Sequence, residues 1–239
     1  MGKKLLIAAA IFMSSSVTNA ATLIDFEGIA NMSAVMNYYD GGAGPDYGID
    51  FSPNALALKS TSVGGSGNFV GEPSPSTVLF FLSGPAATLD VGKGFTGGFS
   101  FYYSAINFGG SIRVYSGPNA TGNVLATLQL PVTPAALPGG VFGPFYPIGV
   151  SFEGTALSID FGGAVNNIGF DNITIGSVTP IGPKPGDCNR DGVLSIDEIQ
   201  DAINMNMGLQ SSQHCVDVSW DGSVTWDEVQ NTINSYLGL

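Results

Sequence analysis

The residues best placed to do chemistry lie near the C-terminus, in the run Asp187-Cys-Asn-Arg-Asp-Gly-Val-Leu-Ser-Ile-Asp-Glu198. Asp187, Asn189 and Asp191 put side-chain oxygens at alternate positions. Gly192 follows where the chain must turn sharply, and Val193 offers a backbone carbonyl. Ser195 and Glu198 then complete a set of oxygen ligands. A cage of carboxylate, amide and carbonyl oxygens suits a hard cation such as Ca2+, and no soft ligand is part of the pattern.

Thirty residues on, the pattern returns as Asp217-Val-Ser-Trp-Asp-Gly-Ser-Val-Thr-Trp-Asp-Glu228, with Asp217, Ser219, Asp221, the Ser223 carbonyl, Thr225 and Glu228 as ligands. Two Ca2+ ions are therefore expected in this tail. The likeness continues past each loop, so the repeated unit is a loop followed by a helix. Ile196, Ile199, Ile203 and Met207 share one helical face, as do Trp226, Val229, Ile233 and Leu237. Gly208 and Gly238 stand where the helices stop. Ser195-x-x-Glu198 and Thr225-x-x-Glu228 also read as capping boxes, which need no metal. A capping box does not, however, explain alternating oxygen donors before a glycine.

Pro180, Pro183 and Pro185 forbid a helix leading into the first loop. A duplicated EF-hand loop and helix without an entering helix resembles a dockerin domain, over residues 187–239. The resemblance implies a calcium-dependent fold and a cohesin-like or cell-surface protein as partner. Dockerins read that partner at loop positions 10 and 11, here Ile196 with Asp197 and Trp226 with Asp227. Those positions usually carry small hydroxyls in the family, and position 12 usually carries Asp, where Glu198 and Glu228 stand here. Large apolar side chains at position 10 have two readings: filling the small core between the helices, or presenting a contact surface. The first is preferred on sequence grounds because so short a tail has little else to bury.

The start of the chain, a basic Lys3-Lys4 followed by an apolar run to Met13 and small residues to Ala20, reads as a secretory signal peptide over residues 1–20. Secretion, to the extracellular space or cell surface, is the expected localisation. Cys188 and Cys215 are then expected to form a disulfide; zinc would need more ligands than two thiols and His214 supply. The formal charge of −12 becomes −14 without Lys3 and Lys4, which argues against nucleic acid or an anionic membrane as partner. No second apolar stretch is long enough for a membrane span.

Residues 21–176 read as a β domain, and 177–186 as a stiff Pro/Gly linker. Short apolar runs alternate with Gly, Pro and Asn: 22–27, 48–52, 77–82, 98–103, 111–115, 124–130, 155–161 and 167–175. Only 30–36 suggests a helical turn. The expected fold is mainly β: a jelly-roll-like β-sandwich followed by a small α-helical EF-hand pair. The segments Ile24-Asp-Phe-Glu27, Tyr38–Ser52 and Ile168-Gly-Phe-Asp-Asn-Ile-Thr174 resemble exported bacterial proteins with a carbohydrate-binding-module-like sandwich, many of which end in a PEP-CTERM tail. Two binding expectations follow: a polysaccharide partner, and one structural Ca2+ between the first and last strands as in many carbohydrate-binding sandwiches, with Glu27 and Asp171, and either Asp40 or carbonyls of the 38–42 loop, as ligands. Tyr38, Tyr39, Tyr47, Tyr103 and Tyr146 are the rings available to stack on sugars, each more readily explained as core or rim.

No nucleophile elbow, HExxH or phosphate loop occurs, and His214 is the single histidine. No catalytic residue is assigned, and the expected function is non-catalytic binding. The rival is a polysaccharide-active enzyme carrying a dockerin, which would need a carboxylate pair facing one cleft, drawn from Glu27, Glu72, Glu153 or Asp160.

Overall fold

The computed structural model describes residues 21–136, 140–163, 165–189, 193–213, 215–218 and 222–239. The chain is mostly antiparallel β-sheet followed by two short helices. In order, the strands are β1 (Thr22–Ile24), β2 (Ser33–Ala34), β3 (Ile49–Phe51), β4 (Leu56–Lys59), β5 (Thr77–Phe80), β6 (Ala86–Ser104), β7 (Gly110–Tyr115), β8 (Val124–Leu130), β9 (Tyr146–Gly163) and β10 (Gly169–Ile175). The helices are α1 (Ile196–Asn206) and α2 (Trp226–Leu237).

Two long strands, β6 and β9, run through both leaves of the sandwich. Their pairing slips between Asp90 and Phe95 and again before Gly97. Such bulges sharpen the local bend of a strand. On one side of the bend, Ala86–Asp90 pairs with Asp160–Gly162 and neighbouring residues of β9, and β3 and β7–β8 extend that leaf. On the other, Gly97–Tyr103 lies between the first half of β9 and β10, which leads on to β1, β5, β4 and β2. The inward side chains of both leaves make one aromatic-rich core: Phe99, Phe101, Phe161 and Phe170 are buried and meet edge-on or tilted at 5.1–6.2 Å. Edge-on packing matches the ring quadrupoles as well as burying area.

The strand runs read from the sequence are present, but β6 and β9 extend well beyond 98–103 and 155–161. Gly92, Gly94, Gly97 and Gly98 interrupt the apolar alternation of β6 and look like loop residues. Gly94 and Gly97 have φ of +69° and +87°, and it is this glycine conformation that lets the strand bend. The expected helical turn at 30–36 does not form. Met32 and Met36 take positive φ, and Ser33–Ala34 pairs with Leu56–Ala57 instead.

Every residue of β10 is buried. Phe170, Ile173 and Ile175 face the core, whereas Asp171, Asn172 and Thr174 lie beneath two coverings. One is the loop around Ser74, which donates to Asp171. The other is the linker, where Ile181 bonds to Asn172 and Thr174.

Candidate functional site

In the tail, each helix begins with the capping box expected of it. Ser195 accepts from the Glu198 amide, Thr225 accepts from the Glu228 amide, and each glutamate bonds back to its cap. Glu198 does more than cap. Its Oε1 accepts from the amides of Cys188 and Asn189 at 3.0 and 3.3 Å, so loop position 12 already reaches back over positions 2 and 3. Burial alone would raise the Glu198 pKa, but amide donors from Ser195, Asn189 and Cys188 outweigh it and hold the group below the usual range. In the second loop the Gly222 amide donates to Asp217 Oδ2 at 2.9 Å, folding position 6 onto position 1.

The carboxylates that open and close the loops, Asp187 with Glu198 and Asp217 with Glu228, are all buried. Asn189, Val193, Ser223 and Thr225 are exposed and Ser195 half-buried. Asp191, Ser219 and Asp221, the other expected ligands, lie outside the described residues, as does His214. Among the described residues no three acidic, histidine or cysteine side chains converge. The expected donors among the described residues are all oxygen, and in the first loop position 12 lies over positions 2 and 3. The expected disulfide is present: Cys188 and Cys215 are joined, with Cα atoms 5.1 Å apart.

The helices pack through the middle of each expected stripe, with Ile199 and Val229 buried and Ile203 and Ile233 against the core, but the ends of the stripes are left out. Ile199, Ala202 and Met205 are buried in α1, and Val229 and Thr232 in α2. Ile196, Met207, Trp226 and Leu237 are exposed, Ile196 and Trp226 each at 64%. Ala202, Met205 and Thr232 join the buried face on the side away from Ile196 and Trp226. Position 10 of each loop therefore does not fill the core. Asp197 and Asp227 are exposed in the first helical turns, where a negative charge is favoured.

In the sandwich, Glu27 and Asp171 come together and Asp40 does not join them. Asp171 is shut off from solvent and accepts from the Ser74 amide and hydroxyl and the Asn172 amide. Glu27 accepts from the Thr77 amide at 2.8 Å and hydroxyl at 3.0 Å. Burial, opposed by these bonds, pushes Glu27 up to about 7. Burial, and then the nearby Glu27 charge, raise Asp171 well above the ordinary range against its hydrogen bonds. Asn172, also buried, leaves its Oδ1 without a hydrogen-bond partner. Asp40 instead neighbours Asp50, whose register partner across the sheet is Asp90. Partial burial, then Asp40 and Asp90, raise the Asp50 pKa. Ser74 and Thr77 are site residues the sequence reading did not name; the Glu72-Pro-Ser-Pro75 turn was the only signal for them.

Of the candidate rings, Tyr39 and Tyr103 are core, with Tyr39 accepting from the Phe26 amide and Tyr103 donating to the Pro131 carbonyl. Tyr38 is half-buried and donates to the Glu27 carbonyl. Tyr47 and Tyr146 remain exposed.

The sequence matches no family profile and no curated protein. Among solved structures the fold is similar to a cleaved adhesin domain of Lys-gingipain from Porphyromonas gingivalis (13% identity, 66% of this chain and 98% of that one, TM-score 0.37). It is also similar to a carbohydrate-binding module of Cellvibrio mixtus lichenase 5A solved with cellotriose (13%, 51% and 86%, TM-score 0.30). A third is a family 29 carbohydrate-binding module from Piromyces equi (13%, 53% and 89%, TM-score 0.30). Among the described residues no helix is long and apolar enough to cross a membrane.

Proposed function

We propose that this chain is an exported, non-catalytic calcium-binding protein whose sandwich holds a polysaccharide and whose duplicated tail is ordered by two Ca2+ ions. The observation that carries the calcium reading is the matched burial of Asp187 with Glu198 and Asp217 with Glu228. The tail holds Asp187, Asp191, Asp197, Glu198, Asp201, Asp217, Asp221, Asp227 and Glu228 against Arg190. Four of these, Asp187, Glu198, Asp217 and Glu228, are buried, and an excess of acid around them favours a bound cation. The same reading assigns a third Ca2+ to Glu27 and Asp171, with the unpartnered Oδ1 of Asn172 as a further candidate oxygen donor. Exposed Tyr146 supplies a ring face for sugar, whereas Tyr47 stacks on Tyr39.

The hydrolase reading needs two carboxylates facing one cleft. Of the carboxylates weighed for it, Glu72 and Asp160 line separate clefts, and Asp171, which senses Glu27, has no exposed surface for a substrate to reach. A docking role for the tail is supported by Ile196 and Trp226, which stand exposed at equivalent places on the two helices.

Calcium titrated calorimetrically into chelator-stripped mature protein tests the first part. Two ions should bind at ~10⁻⁴ M or tighter, and a third with the sandwich; no calcium heat would end the reading. Co-sedimentation with insoluble polysaccharides in calcium tests the second, with a fully soluble protein as the refuting result.

A further inference from the structure

Residues 177–186 lie along the sandwich rather than away from it. Ser100 Oγ donates to the Ser177 carbonyl at 2.9 Å, Ile181 N donates to Thr174 Oγ1 at 3.0 Å, and Asn172 Nδ2 donates to the Ile181 carbonyl at 2.9 Å. Gly182 rests on the Tyr102 hydroxyl, where an added Cβ would lie 2.3 Å from that oxygen. At the far end the Gly186 amide donates to the Cys215 carbonyl at 2.7 Å, inside the tail. The strap thus holds the tail against the sandwich, and a cleft of about 470 Å³ lies at the seam.

Tyr102, Phe145 and Tyr146 line it from the sandwich, Pro183 and Pro185 from the strap, and Asp187, Cys215 and Val218 from the tail. Glu72, buried in the loop before β5, adds a second carboxylate. We propose that this seam cleft is a saccharide site for a short stretch of neutral polysaccharide, with Asp187, the first ligand position of loop one, in its wall. The proposal rests on the polysaccharide reading above and gives it a place and a control.

The cleft volume is in the range of small-ligand sites. A pyranose has an apolar C–H face suited to a tyrosine ring and hydroxyls that donate to carboxylates, which accept only when ionised. Tyr146, at 37% exposure, is the ring most open to such a face. Proline walls and a strapped backbone need little ordering on binding. The two carboxylates and the chain's −12 charge select against uronic acids and sulfated sugars.

The control follows from Asp187, which lines the cleft and is also the first ligand position of loop one. Cys215 is tied to Cys188 in that loop, and Val218 directly follows Asp217 of loop two. Calcium in the loops would therefore act on this wall through Asp187 and the two residues tied to the loops. Linkage makes the effect mutual: saccharide should tighten calcium by the same factor that calcium tightens saccharide.

The test applies mature protein to an array of neutral and acidic oligosaccharides in calcium, then titrates the best neutral binder calorimetrically. Tyr146→Ala and Val218→Phe, on opposite walls, should each weaken it about tenfold or more, with calcium binding retained as the check on folding. Tyr47→Ala should bind as wild type, and chelator should reproduce the loss. If array binding persists in both wall variants, or is lost in Tyr47→Ala alone, the seam is not the site although the polysaccharide reading stands. Unchanged saccharide affinity in chelator overturns the calcium-set wall. An array on which nothing neutral binds in calcium removes the polysaccharide reading and this site with it.

Discussion

Reduction of Cys188–Cys215 should make the tail's fold depend on calcium alone. The bridge closes a loop spanning 27 residues of sequence. Loop-closure entropy for that length corresponds to ~3.5 kcal/mol taken from the unfolded chain, a few hundred-fold in the folding equilibrium. The tail has little to set against that loss, since its core is Ala202, Met205, Val216, Val224 and Val229 with partly buried neighbours. Two calcium sites filled at a hundred times their dissociation constants would together restore ~5 kcal/mol. Both tryptophans, Trp220 and Trp226, belong to the tail, so tryptophan fluorescence reports its unfolding within the whole protein. Urea unfolding should show a stable tail when oxidised with calcium, a weaker one with either support alone, and an unfolded one when reduced in chelator. Cys188→Ala/Cys215→Ala should behave as the reduced protein does. A reduced, calcium-free tail within ~1 kcal/mol of the oxidised one would show that neither the loop entropy nor the small core has been judged correctly.

Trp226→Ala should change tail stability by no more than ~0.5 kcal/mol, since most of the ring is in solvent; loss of calcium-dependent folding in circular dichroism would place it in the core after all. Phe101→Ala should destabilise the sandwich by ~3–5 kcal/mol in denaturant melts, because its buried ring meets Phe99, Tyr103, Phe161 and Phe170. In calcium-free protein the folded state holds the Glu27 proton up to about 7 against an ordinary value of 4.5, so the sandwich should lose stability as pH rises through that window. Asp171 adds to this with the same sign. Glu27→Gln should flatten the slope, and a wild-type melting temperature that does not change between those values would contradict the burial argument.

Both halves of the molecule were partly legible in the sequence, for different reasons. The tail's loops declared themselves because ligand chemistry fixes side-chain types at fixed intervals. Its helix packing declared itself only in part: Ile199, Ile203, Val229 and Ile233 pack as their spacing suggests, but small Ala202 and polar Thr232 share the buried face while Ile196 and Trp226 stay outside. In the sandwich, alternating apolar residues marked most strands, but the bends of β6 required glycines that imitate loops. The pairing of Glu27 with Asp171 joins the first and last strands, so spacing along the chain carries no trace of it beyond the resemblance that suggested it. Asp40, joined to them only by that resemblance, instead neighbours Asp50. The seam cleft was the least visible feature, since it exists only once the linker is strapped down.

That strap also decides how the molecule bears load. A protein held at its tail and gripped through its sandwich would be pulled along residues 177–186. Because Ser177 and Ile181 are bonded to β6 and β10, tension enters the sheet beside β10, a strand hydrogen-bonded to β6 on one flank and to β1 and β5 on the other. Force directed along such a strand is resisted by many ladder bonds in shear rather than broken one at a time, as it would be at a free edge. The strap bonds at Ile181 are the weaker joint. Under pull they should release first, freeing a few residues of slack while the sandwich stays whole.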